Sequence, residues 1–342
     1  MGKTTVLVTG GTGFVAGHCI MRLLDAGYLV RTTVRSVSRA RDVVEMLRGN
    51  GVQAVENVSF TEADLTRDQG WDDALRGCEC VLHVATPISL EVPRHEEDVI
   101  RPAVEGTMRV LTSAKAADVK RVVLTSSFAA IGYGPNPEKR PWTENDWTDP
   151  NDKTLSAYVK SKALAERAAW DFMKREGGRM ELTVINPMAI LGPTLGKSLS
   201  SGHQLIKQLL DASMKIVPRV DFGIVDVRDV ADLHIRAMTH PEAAGERFLA
   251  LAGGTMSFQE IAMTLKERLG DHGKRVATRT APDWLLRLAA PLNKKAREVL
   301  PMLGRFRVSS NEKAKKVLGW SPRSNEEAVV SAGESLIRNG LV

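Results

Sequence analysis

The stretch YVKSKALAERAAW, residues 158–170, sets a tyrosine four residues before a lysine. Residues i and i+4 share one face of a helix. A free phenol titrates near ~10, and a neighbouring ammonium favours its ionised form, bringing it closer to working pH. That is how a general acid is tuned. An ordinary surface pair has the same spacing, although of the three tyrosines only Tyr158 has a lysine at this distance. A second hydroxyl comes from RVVLTSSFAA (121–130), where an apolar run ends in Ser126 and Ser127. Serine at such a point is commonly turn chemistry. A hydroxyl, a phenol and an ammonium brought together would instead be a catalytic set.

The elements that must position these groups alternate along the chain. TTVLVTG (4–10) reads as a buried strand running into glycine, and 14–27 reads as a helix. Strands follow at 29–35, in a run ending near 60–65, and at 80–85, 121–127 and 182–187, with helices over 38–49, over 94–117, and over the segment that carries Tyr158. Such alternation implies an α/β fold with a doubly wound parallel sheet of the Rossmann type. A smaller, mixed, helix-rich C-terminal substrate domain follows. The expected division is 1–187 for dinucleotide binding and 188–342 for the substrate, with 219–252 returning to the first. Two further strands are expected near 222–227 and 247–251, and helix over 283–300.

Doubly wound sheets bind ligands outside the carboxyl ends of their strands. The first strand runs into TGGTGFVA (9–16), which reads Gly10-x-x-Gly13-x-x-Ala16 and opens a helix. Gly10 permits a tight turn, Gly13 lets backbone approach a pyrophosphate, and a small third residue lets helix and strand pack closely. A free ribose 2′-hydroxyl usually meets an acid about 20 residues on. Between Asp25 and Asp42 there is none, and Arg31, Arg35, Arg39 and Arg41 stand there instead. Arg35, at the strand end, suits a 2′-phosphate, so NADPH is expected over NADH. Some of these arginines are simple solvated charges on this reading. Asp64 is placed either for the adenine amino group or as a helix N-cap. The expected cofactor set is Gly10, Thr12, Gly13, Phe14, Val15, Arg35, Asp64, Leu65, Ala85, Thr86, Tyr158, Lys162 and Pro187.

Together, TGGTGFVA, ADL, HVATP, TSS, YVKSK and NPMAILGP resemble the extended short-chain dehydrogenases/reductases. Within them the chain is most similar to the dihydroflavonol reductase and cinnamoyl-CoA reductase group, with its microbial aldehyde and ketone reductases. The resemblance runs from residue 4 to about 240, and more thinly to the end. It implies that Ser127 hydrogen-bonds the substrate carbonyl and that Tyr158 donates the proton. It also implies that Lys162 holds the nicotinamide ribose and lowers the phenol pKa. Hydride would pass from the nicotinamide to the carbonyl carbon.

The chain departs from its plant relatives. Gly132 stands where dihydroflavonol reductases place an asparagine, and the cinnamoyl-CoA signature is not recognisable around NPMAILGP. The third glycine of the turn is Ala16. The expected activity is therefore that of a microbial carbonyl reductase acting on an aldehyde, ketone or ketoester. Substrate contacts are expected from Thr86, Pro87, Ser89, Phe128 and Met188, with Leu191 and the loop to Gly202. Two alternatives stay open: a sugar-nucleotide epimerase or dehydratase that retains NAD, and a non-catalytic module that senses NADPH.

Composition sets the frame. The chain has 342 residues, 43% of them hydrophobic and 26% charged, with a net charge of +6 and no block of like charges. No nucleic-acid partner is expected. No apolar run approaches the ~20 residues of a membrane helix, and the N-terminus makes a poor signal peptide. Cys19, Cys78 and Cys80 read as reduced thiols. The histidines show no metal-binding spacing, and His83 reads as a core residue. A cytoplasmic monomer or homodimer that turns over a small carbonyl compound is expected.

Overall fold

The computed structural model describes residues 4–87, 95–136, 138–291, 300, 303 and 308–342. By packing, the chain divides into two compact units. The first comprises 1–187, 230–250 and 311–321, and the second 188–229, 251–310 and 322–342.

The first unit is built on a parallel sheet. Its strands are β1 (Thr5–Val8), β2 (Leu29–Val34), β3 (Val58–Glu62), β4 (Cys80–His83), β5 (Arg121–Thr125) and β6 (Glu181–Pro187). Each is a short apolar run because helices cover both faces of such a sheet. Val6, Leu7 and Val8 are fully buried. The spatial order is β3-β2-β1-β4-β5-β6, extended by a seventh strand described below. Val6 pairs with Val30 on one side and Cys80 on the other, so the order reverses at β1. A ligand crevice forms where two neighbouring strands send their connections to opposite faces.

Crossover helices are α1 (Phe14–Asp25), α2 (Ala40–Gly49), α3 (Trp71–Leu75), α4 (Glu97–Ala116) and α5 (Ala157–Glu176). The Ser156 hydroxyl caps α5 by accepting the Val159 N–H. Buried Ala163, Ala165 and Ala169 give α5 a small-residue face, and α5 packs on α4. Trp71, Leu111, Val122, Phe172 and Val184 lie in the core beneath.

The second unit opens with β7 (Ala189–Leu191) and α6 (Ser201–Leu210), followed by β8 (Asp221–Phe222) and β9 (Ile224–Asp226). The single strand expected near 222–227 is thus two pieces broken at Gly223. β9 runs parallel to β7, while β8 pairs with β11 (Met256–Ser257) in a separate antiparallel ribbon. Helix α7 (Val227–Thr239) leads into β10 (Arg247–Ala250), the seventh strand of the large sheet, paired with β6. Of the segment 219–252, residues 230–250 group with the large sheet, and 219–229 and 251–252 do not. Helix α8 (Phe258–Arg268) and the last helix, Asn325–Arg338, both begin with capping boxes, Ser257–Glu260 and Ser324–Glu327. Ile206, Phe258, Leu265 and Leu336 share the core of this unit. Of the helix expected over 283–300, Asp283–Ala289 is helical, and 292–299 lie outside the described residues. No described helix is long and apolar enough to cross a membrane.

Candidate active site

The glycine turn sits at the carboxyl end of β1. Gly10 has φ +71°, and a Cβ there would lie 2.9 Å from that of Ala85. Only glycine meets both constraints. Gly11 is equally confined, which the motif spacing does not reveal: a Cβ would stand 2.5 Å from the Thr32 hydroxyl. Thr33 anchors the turn, its hydroxyl accepting the Gly10 N–H at 2.8 Å and its carbonyl the Gly11 N–H at 2.9 Å. Gly13 is the N-cap of α1, with no side-chain cap and no acid in the first turn. A Cβ on Gly13 would lie 3.1 Å from the Gly10 carbonyl oxygen. Thr12, Phe14 and Val15 are partly exposed around this end, and Ala16 is buried. The result is a glycine cradle before an uncapped helix N-terminus, which fits a pyrophosphate.

Thr9 ties this turn to the loop after β4. Its hydroxyl accepts the N–H groups of Val84 at 3.1 Å and Ala85 at 3.0 Å. Its own hydrogen is then free for His83 Nδ1, 3.0 Å away. Burial, and after it the Lys162 charge, push the His83 pKa down to about 3. His83 is a satisfied, neutral core residue.

The four arginines separate by partner. Arg31 donates to the carbonyls of Asp73, Ala74 and Arg76 at the end of α3. Arg39 pairs with Asp42 and Arg41 with Glu45. Arg35, just past the end of β2, has no hydrogen-bond or ion-pair partner among the described residues and faces the Asp64 carboxylate electrostatically. Asp64 caps no helix. One of its oxygens accepts both the N–H and the hydroxyl of Thr66 at 2.8 Å, forming a turn. Burial alone would raise its pKa, but the Thr66 hydrogen bonds and then the Arg35 and Arg67 charges outweigh burial and lower it. Leu65 is buried, and its carbonyl accepts from Arg109 at 3.0 Å.

Ser127 is extended (φ −163°), and its Oγ accepts the Ala129 N–H at 3.1 Å. The serine hydrogen is therefore left to donate, here toward the Tyr158 oxygen. Tyr158 is 53% exposed as a residue, yet protein surrounds its oxygen. Burial raises the phenol pKa, opposed by a hydrogen bond with Ser127. The expected lowering by Lys162 is therefore not the governing effect here. Desolvation sets the direction, and Ser127 supplies the opposing contribution. Lys162 Nζ donates to Thr86 Oγ1 at 3.2 Å. Burial pulls the Lys162 pKa down to about 8, with Glu166 opposing.

The remaining substrate candidates are spread out. Phe128 is 3% exposed, with its ring against Tyr133 at 5.9 Å between centroids. A Cβ on Gly132 would sit 2.2 Å from the Phe128 ring, so the glycine makes room for it. Met188 is half-buried, with its sulfur where a side chain on Gly223 would go. Leu191 is buried, and Pro187 closes β6 opposite Ala250. Pro87 is partly exposed, and Ser89 lies outside the described residues.

Motif reading missed one cluster. Glu166, 1% exposed, lies one turn beyond Lys162 on α5. Ser126 Oγ donates to it at 2.5 Å, Asn186 Nδ2 at 2.7 Å and Arg247 Nε at 2.6 Å. Trp170 Nε1 adds a longer bond of 3.3 Å. Asn186 Nδ2 also donates to the Ser127 carbonyl at 3.1 Å. Arg247 stacks over Trp147 at 3.7 Å. The available signal was the i, i+4, i+8 spacing of Tyr158, Lys162 and Glu166.

The reversal at β1, the glycine cradle and the hydroxyl–phenol–ammonium group define a dinucleotide-binding α/β protein of the oxidoreductase type. Residues 6–250 match the model of the NAD dependent epimerase/dehydratase family. The chain belongs to this family, as one of its extended short-chain dehydrogenases/reductases. It is 35% identical over 317 residues to the ketoreductase azaE of Aspergillus niger, covering 87% of this chain and 92% of that one. To cinnamoyl-CoA reductase CAD2 of Medicago truncatula it is 35% identical over 268 residues, covering 77% and 80%. It also resembles the crystal structure of yeast methylglyoxal/isovaleraldehyde reductase Gre2 complexed with NADPH. There the TM-score is 0.82 at 26% identity, covering 99% of this chain and 100% of that one.

Proposed function

We propose that this protein is an NADPH-dependent carbonyl reductase that converts an aldehyde, ketone or ketoester to an alcohol. The observation that carries the reading is the convergence of Ser127, Tyr158 and Lys162 at the carboxyl edge of the sheet that holds the glycine cradle. The reductase relatives support it over epimerisation, dehydration or cofactor sensing.

NADPH, when bound, supplies the hydride. Gly10, Thr12, Gly13, Phe14 and Val15 would hold its pyrophosphate, and Arg35 its 2′-phosphate. Asp64 and Leu65 would flank the adenine, and Ala85, Thr86 and Pro187 the rest of its path. Ser127, whose hydrogen points to the Tyr158 oxygen in this structure, would donate it to the substrate carbonyl oxygen and draw charge onto it. Tyr158 gives that oxygen its proton. A phenol with a raised pKa stays protonated at neutral pH, as a donor must. Lys162 would hold the ribose and keep a positive charge beside the developing oxyanion. Thr86 and Phe128 would contact substrate.

The test follows NADPH and NADH consumption against a panel of aldehydes, ketones and ketoesters, with Tyr158→Phe in parallel. Consumption of NADPH with some carbonyl, falling roughly 10²- to 10⁴-fold in the variant, supports the reading. A variant as active as the parent, or a bound cofactor never consumed, overturns it.

A further inference from the structure

We propose that Glu166 is a positioning residue of the reduction: by binding Ser126, Asn186 and Arg247 together it fixes the Ser127 strand end against the helix carrying Tyr158 and Lys162, and its charge steadies the Lys162 ammonium. This rests on the reading of Tyr158 and Lys162 given above.

The carboxylate gathers groups from four elements. Ser126 follows β5, Asn186 lies in β6, Arg247 in β10, and Trp170 on α5 itself. The amide of Asn186 spans the Glu166 carboxylate and the Ser127 carbonyl, so both serines of the strand end are held through one group. Tyr158, Lys162 and Glu166 occupy successive turns of one helical face. The separation between serine hydroxyl and phenol, which reduction requires to be constant, is thus set by this carboxylate.

Glu166 is also the acid that acts on Lys162, opposing the burial that would strip its proton. Both line one small cavity with His83, Thr107 and Thr125. From β4 and its following loop, Lys162 faces neutral His83 and the Thr86 hydroxyl, and on its own helix Glu166. Arg247 is the cation paired with Glu166. A carboxylate needed only for packing would act on the fold and leave the titration of Lys162 alone.

The experiment is Glu166→Gln, which keeps the shape and removes the charge. The expected result is NADPH affinity within about twofold of the parent, with kcat reduced roughly ten- to a hundredfold by misplacement. The alkaline limb of the pH profile should move to lower pH. An unmoved limb, whether kcat is preserved or only thermal stability falls, overturns the proposal. Should this variant not fold, Glu166→Asp retains the charge on a shorter arm. It should lose kcat while its limb stays at the parent position, and a displaced limb with full kcat overturns the proposal. Failure of the underlying reading shows separately, as a fully active Tyr158→Phe.

Discussion

Lys162 donates a 3.2 Å hydrogen bond to the hydroxyl of Thr86, tying the phenol-bearing helix to the loop that leaves β4. Its pKa lies at about 8, below the ordinary lysine value, because the ammonium is desolvated. Below that pH the cation is present, and above it the cation is lost. The value of kcat/KM for NADPH is therefore expected to be level toward neutral pH and to fall as pH rises through about 8. A profile level to pH 10 would show that Lys162 is not the group that titrates.

Arg35 has no hydrogen-bond or ion-pair partner among the described residues, whereas the other three arginines of its segment are engaged. Arg35→Ala should raise the NADPH KM roughly ten- to a hundredfold, the equivalent of one or two charge-assisted hydrogen bonds. Its effect on NADH should be small. An equal loss with both cofactors would place Arg35 elsewhere than at the 2′-phosphate.

Gly11→Ala should destabilise the protein by about 1–3 kcal/mol, the usual cost of an overpacked interior. The added methyl would meet the Thr32 side chain, whose hydroxyl is already committed to the Val8 carbonyl at 2.7 Å. Urea denaturation of the cofactor-free protein checks this, and an unchanged midpoint would count against the crowding.

Gly132→Ala tests the Phe128 ring in the same manner. The methyl and the ring cannot share the space, so the ring must leave its buried position. Stability should fall by about 1–3 kcal/mol. The ratio of activities on aromatic and small aliphatic carbonyls should change with it, if Phe128 borders the substrate. A variant with parental stability would mean that the ring moves without cost.

Two buried histidines predict acid sensitivity. His83 and His234 have pKa values pushed down to about 3 and about 4, both mainly by burial. His234 Nδ1 donates to the Val230 carbonyl at 2.7 Å, leaving Nε2 to accept from Thr125 at 2.6 Å. In the unfolded chain both titrate near ~6.5. Between these limits the unfolded state binds more protons, so the stability is present above pH 6.5 and is lost as pH falls. Each contributes a slope of ~1.4 kcal/mol per pH unit at most. Denaturation midpoints from pH 7 to 4 should decline, and His234→Gln should flatten part of that decline.

The sheet was legible because each strand is a short apolar run bounded by glycine or polar residues. Its ends were less so. RVVLTSS suggests pairing through Ser127, but the ladder stops at Thr125 and the serine hydroxyls turn to other partners. Tyr158 and Lys162 were visible because helical spacing is local. Glu166 has the same spacing, yet its meaning depends on Asn186 and Arg247, 20 and 81 residues away. Composition could not separate Arg31 from Arg35 either. What distinguishes them is the end of α3, which offers carbonyls to one and not to the other.

Arg247 reaches Glu166 only after the chain has left the large sheet, laid down residues 188–229 and returned. A chain emerging from the ribosome therefore carries Tyr158, Lys162 and Glu166 well before it carries the cation that neutralises the buried carboxylate. Until β10 docks, that acid must stay hydrated or take up a proton, because an unpaired buried charge is too costly to keep. On the positioning role proposed for Glu166, assembly of the chemistry waits for β10 to return to the large sheet. A product truncated near residue 187 would hold the three proposed catalytic side chains without the means to set them in place.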